Sequence, residues 1–175
     1  MMTPEARRTP PPAGSEADIL LGLLNYGRDT LRWKCSGLGD EQLRQPMAPT
    51  SMTLAGLILH LTIVEAGWFN LSFAGGVSMP SWMSIADLED PDWAWQHAQK
   101  FRADQLWGWF DEATGVSDKV IADTLEGGEG LERRAVNPEE PVSMRWLITH
   151  MVEEYARHNG HADLLRESID GATGD

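Results

Sequence analysis

The sequence predicts an all-α protein, folded as an antiparallel four-helix bundle. Three observations lead there. Four long stretches carry apolar residues at spacings of three and four, the signature of helices with one buried face. The glycines and prolines that would break such helices are gathered between the stretches. No convincing run alternates apolar with polar residues as a half-buried strand does, so a helix-on-helix core is the remaining layer architecture. At 175 residues the chain suits one domain with a substantial core and is cramped for two. A hydrophobic share of 42% against 23% charged residues is enough to drive that core together.

Taken in order, residues 1–14 read as a flexible tail, because Pro10-Pro11-Pro12 supplies no backbone donors and nothing apolar there offers an anchor. The domain then spans 15–175. Ser15 is placed to cap a first helix running to about Lys34, with Ile19, Leu20, Leu23, Leu24, Leu31 and Trp33 along or beside one face, and Gly37 to Gly39 ends it. A short turn at Asp40 to Arg44 leads past Pro46 and Pro49 to Thr50 or Ser51, either of which can cap a second long helix ending near Phe73, before Gly75-Gly76. Residues 77–94, holding Pro80, Trp82, Pro91 and Trp93, with Trp95 just beyond, form a structured loop able to cover a cavity. A third helix is expected from about Trp93 to Thr114, with Phe101, Leu106, Trp107 and Phe110 inward. After the glycines at 127, 128 and 130 and the prolines at 138 and 141, the last helix begins near Ser143 and runs to about Ile169, closed by Gly171.

A net charge of -13 opposes nucleic acid and anionic lipid as partners, and no run reads as a membrane span; the expected partner is a small-molecule substrate, with a homodimer as an option. The one cysteine, Cys35, has no disulfide partner within the chain, and Arg7-Arg8 is followed by prolines instead of an export signal's apolar core. A cytoplasmic location is therefore expected.

The last helix carries the chemistry. Winding it at about 100° per residue from Leu147 puts Met151, Tyr155, Ala162 and Leu165 on one apolar arc, with His158 within that arc and Glu154 just beside it, both turned inward. A carboxylate and an imidazole one turn apart on an inward face can chelate one ion, and a buried lone carboxylate calls for such a partner. The bland alternatives are a hydrogen bond between Glu154 and His158, or a salt bridge from Glu154 to Arg157 or Arg145. A third ligand must come from another helix, and His60, beside Leu57, Val64 and Leu71, is the candidate. His150 and His161 lie on the same edge of the last helix and compete with it, whereas His97 falls outside the apolar pattern. Glu65, among Leu54, Ile58 and Leu61, needs neutralising by an arginine such as Arg145 or Arg157; a structural role is favoured for it over catalysis. Trp68 and Trp146 lie near the ligands in sequence and read as packing.

The segments LAGLILHLTIVEAGW, from Leu54, and RWLITHMVEEYARHNGHADLLRESIDG, from Arg145, resemble the signature segments of the DinB-like (YfiT-like) superfamily of metalloenzymes. They are closest to its branch of domain-of-unknown-function 664 proteins, related to mycothiol-dependent maleylpyruvate isomerase and to bacterial thiol transferases. The resemblance covers nearly the whole chain after the tail and implies a DinB-like bundle. It also implies a divalent metal, zinc first with nickel or iron as alternatives, on His60, Glu154 and His158. The position of Glu154 is histidine in many members and glutamate in the isomerase-like branch.

What the resemblance further implies is a metal-dependent transferase or isomerase using a low-molecular-weight thiol of the mycothiol or bacillithiol type. His161 is expected as an acid-base or supporting group, and Glu65 as a weaker catalytic candidate. The same ligand set serves metal-dependent hydrolases and Fe(II) oxygenases, and a metal-binding stress-response protein without turnover is the reading from a different class.

Overall fold

In the computed structural model, which describes residues 3–78, 80–139 and 141–173, the all-α class is as expected. Helix α1 (Glu16–Cys35) starts at Ser15, whose hydroxyl accepts from the Asp18 backbone N–H at 3.2 Å while the Asp18 carboxylate accepts from the Ser15 N–H at 3.2 Å. The short α2 (Asp40–Leu43) follows. Helix α3 (Leu54–Glu65) is capped by Thr53, whose hydroxyl accepts from Gly56 N–H at 3.0 Å, so Thr50 and Ser51 remain outside it. It continues as a wider π-helical stretch over Ala66–Phe73.

The expected third helix is two. Helix α4 (Trp93–His97) and a 3₁₀ turn stop where Phe101 becomes extended, and α5 (Ala103–Glu126) starts afresh, with Asp40 of α2 accepting from the Ala103 N–H at 2.9 Å. It also runs a dozen residues beyond Thr114. The buried Ser117 and Thr124 return their hydroxyls to the Ala113 and Val120 carbonyls, at 3.1 and 2.7 Å, which lets polar residues face a core. Helix α6 (Met144–Asp170) matches its expectation, from the Ser143 cap to Gly171 in the left-handed conformation. The arc read from the sequence is the buried one: Leu147, Met151, Tyr155, Ala162 and Leu165 all lie in the core.

Contacts along the helices give their directions. Arg145 bonds Glu16 at 2.7 Å, Asn159 donates to the Gly27 carbonyl at 2.9 Å and Arg166 to the Lys34 carbonyl at 2.9 Å, so α1 and α6 run parallel. They approach so closely that a Cβ on Gly27 would lie 2.7 Å from Cβ of Tyr155. By the same reading α5 is antiparallel to α1, through Arg28 with Asp118 and Arg32 with Asp111, and α3 is antiparallel to α6, through His60 with His158 and Trp68 with His150. The bundle thus runs up, down, down, up, with each long helix antiparallel to two others.

Two further expectations change. Leu54–Phe73 is in fact long and apolar enough, by length and composition, to cross a membrane. Its apolar circumference is that of a central helix packed against α4, α5 and α6, and most of it is buried. The tail, over its described residues, lies against α1. Arg8 makes bonds of 2.8 and 2.7 Å to the Asp29 carboxylate, and the Arg7 guanidinium sits 4.7 and 4.4 Å from the rings of Tyr26 and Trp33. Its anchors are cationic side chains, which hold a stretch, residues 3–14, that has no large apolar side chain to bury.

Residues 81–84 place Trp82 and Met83 against Ala66 and Ala113, forming a second small core on the α3–α5 flank. This part of the expected 77–94 loop thus covers that flank.

Candidate metal centre

Antiparallel packing of α3 on α6 brings His60, Glu154 and His158 together, with one donor atom from each within 4.8 Å of the others. Glu154 Oε2 lies 3.4 Å from His158 Nε2 and 3.9 Å from His60 Nε2. Donors bound tetrahedrally at about 2.1 Å are separated by about 3.4 Å, so the first distance already fits and the second asks for a shift of about half an ångström. The three side chains are sheltered without being sealed, at 22%, 13% and 10% exposure for His60, Glu154 and His158. Burial pushes the His60 pKa down to about 4, with His158 adding to the effect. Burial also lowers that of His158, against the pull of Glu154. Both rings are neutral at pH 7, the form that has a lone pair to give.

The third wall of the site is Trp95, from α4. Its indole stacks on the His60 ring with centroids 4.9 Å apart and planes 24° from parallel. Gly56, one turn before His60, makes the room: a Cβ there would sit 2.8 Å from Trp95 Cε3. Beyond Trp95 opens a cavity of about 600 Å³ lined by Ser51, Met52, Asp92, Gln96 and Gln99. Sequence reading missed Trp95, since nothing local in Trp93-Ala-Trp95 points to a histidine more than thirty residues earlier; the one available signal was a glycine inside an otherwise apolar helix.

The other singled-out residues fall around this centre. His161 brings its Nδ1 to 3.3 Å from Nδ1 of His158. His150 stands outside the trio, stacked on Trp146 at 4.9 Å and edge-on to Trp68 at 5.0 Å, and forms a second group with Glu153 that shares Glu154 with the trio. His97 stacks on Trp93 at 4.7 Å, away from the site. Of the arginines expected near Glu154, Arg157 lies 3.7 Å from Glu154 Oε1, while Arg145 pairs with Glu16 and Glu132.

Glu65 is wholly buried, and its partner is neither Arg145 nor Arg157 but Arg28 of α1. The guanidinium binds both carboxylate oxygens, at 2.7 and 2.8 Å, and reaches Asp118 of α5 at 2.6 Å; Tyr155 adds its hydroxyl to Glu65 at 2.8 Å. Although burial opposes the charge, the carboxylate holds the Arg28 pKa above its ordinary value. Burial and the same carboxylate push that of Tyr155 up. The tie joins all four long helices, and its arginine lay three-dimensionally near but far off in sequence.

The family model described as Mycothiol-S-transferase matches residues 19–171. The chain belongs to that family. The matched span takes in all four long helices and the three converging side chains, and it places the protein among DinB-like proteins. No curated protein sequence matches the chain. Among solved structures, a conserved protein from Enterococcus faecalis superposes with a TM-score of 0.69 over 91% of this chain and 100% of its own, at 15% identity. That likeness establishes a shared fold. For a mycothiol-S-transferase family member, the sheltered pair of imidazoles and one carboxylate is the feature with the clearest chemical capacity.

Proposed function

We propose that the protein is a metal-dependent S-transferase that holds one divalent cation, zinc in the first instance, on His60, Glu154 and His158, and takes a low-molecular-weight thiol of the mycothiol type as cosubstrate. The observation carrying this reading is the convergence of two neutral imidazoles and one carboxylate in a chain of the mycothiol-S-transferase family. Glutamate as the middle donor agrees with kinship to the isomerase-like branch. A divalent cation held there supplies Lewis acidity, under which a coordinating thiol loses its proton and becomes a nucleophile at neutral pH.

The chain's own residues set the conditions for that chemistry. Burial keeps His60 and His158 neutral, so each ring has one nitrogen lone pair and no positive charge to oppose a cation. Trp95 covers one face of His60 and excludes water from it. Glu154 brings the only negative charge of the set, and three protein donors leave room for an outside ligand. Glu65 has both oxygens engaged by Arg28 and one also by Tyr155, and we assign it to holding the helices in register instead of moving protons.

The test is cobalt-substituted protein mixed with a panel of bacterial low-molecular-weight thiols and a generic electrophile, beside apo-protein and Glu154→Gln. The expected result is an absorption band of sulfur ligation to cobalt and thiol consumption that both controls lack. No band with any thiol, together with hydrolysis or oxygen uptake, would replace the transferase reading by one of the other metal chemistries. No turnover of any kind would leave a metal-binding protein.

A further inference from the structure

We infer that His161 is a positioning residue for this centre: its Nδ1 accepts a hydrogen bond from the Nδ1–H of His158 and so presents the Nε2 lone pair of His158 to the ion. The inference rests on the metal-binding reading above. His158 is engaged on both sides, with Nε2 facing Glu154 Oε2 at 3.4 Å and Nδ1 facing His161 Nδ1 at 3.3 Å, the two rings inclined by 58°. A neutral imidazole carries one proton, so of two facing Nδ1 atoms one donates and the other accepts. Nε2 of His158 can give its lone pair to a metal only when the proton is on Nδ1. His161 must then be the acceptor, with its own proton on Nε2.

Ligating histidines ordinarily give their second N–H to a carboxylate, a carbonyl or water, which fixes tautomer and ring orientation. A carboxylate in this place would add a second negative charge close to Glu154, whereas an imidazole supplies the acceptor without charge. The two candidate histidine ligands are oriented by different means. Among the described residues nothing hydrogen-bonds the His60 ring, which is held by stacking on Trp95, while the His158 ring is held by the hydrogen bond it donates to His161, one turn on in the same helix.

Two variants of the full chain separate this role from packing. In His161→Asn the amide oxygen takes the place of Nδ1 and can accept the same bond; in His161→Leu nothing can. Zinc affinity, measured by competition with a chromophoric chelator, should fall about 10- to 100-fold in His161→Leu and stay within about threefold of wild type in His161→Asn. The ¹⁵N shifts of the His158 ring in zinc-loaded wild-type protein should report a protonated Nδ1. Undiminished zinc affinity in His161→Leu, an Asn variant no better than the Leu variant, or a proton on Nε2 of His158 would each overturn the inference while leaving the metal reading intact. Wild-type protein that takes up no zinc would remove both.

Discussion

Helices α3 and α6 place two carboxylate-centred clusters within a few residues of each other, and the two have opposite characters. In the first, Glu65 is wholly buried and fully engaged, with a bidentate guanidinium from Arg28 and a hydroxyl from Tyr155. In the second, Glu154 has two imidazoles at 3.4 and 3.9 Å and one arginine at 3.7 Å, none at the distance of a strong charged hydrogen bond. A buried charge that is completely satisfied ties elements together and has nothing left to offer a ligand. A sheltered carboxylate with two neutral imidazoles on one oxygen, and an arginine only loosely beside the other, is arranged for something that brings positive charge.

The largest effect that could break the comparison is on stability. Glu65→Ala leaves Arg28 buried without its main counter-charge and should cost about 3–5 kcal/mol in denaturant unfolding, whereas Glu154→Gln should change the metal-free protein by no more than about 1 kcal/mol. Equal losses would erase the distinction between the clusters.

Acid comes next. His60 has a folded pKa of about 4 against an ordinary 6.5, so protonation favours the unfolded chain. Its contribution is fully present above pH 6.5 and is lost as pH falls through about 4, up to about 3 kcal/mol, and His158 acts in the same direction. Unfolding curves of the metal-free protein between pH 7 and 4 should show that decline, and His60→Ala should flatten it; an unchanged slope in that variant would assign the decline elsewhere.

Metal should act on the second cluster alone. Zinc at about 100 times its Kd should stabilise the fold by about 2.7 kcal/mol through mass action, a rise of several degrees in Tm that chelator reverses. The same shift in Glu154→Ala would place the binding elsewhere. Gly56→Ala, which drives a methyl into Trp95, should cost about 1–3 kcal/mol and alter the fluorescence of that indole, a smaller effect confined to the wall of the site.

What was legible in the sequence follows the same division. Helix α6 could be read with its cap, its stop and its inward face because its core residues recur without interruption, with His158 within that arc and Glu154 beside it. The far half of α5 was not legible, since the residues it buries include Ser117 and Thr124, which look like surface until their hydroxyls are seen bonded to their own helix. Partners that arrive across the bundle were hidden too: Arg28 for Glu65, Trp95 for His60, Asp29 for Arg8. Local periodicity reports which face turns inward, and it carries no information about which residue of another helix waits there.

The most direct measurement of the central claim is the metal content of protein purified without added metal and after zinc loading, in wild type and in His60→Ala, Glu154→Ala, His158→Ala, His97→Ala and His150→Ala. The account predicts a single tightly held ion per chain in wild type and in the His97 and His150 variants, and its loss in the other three. Full occupancy in any of those three, or an equal loss on changing His150, would contradict it.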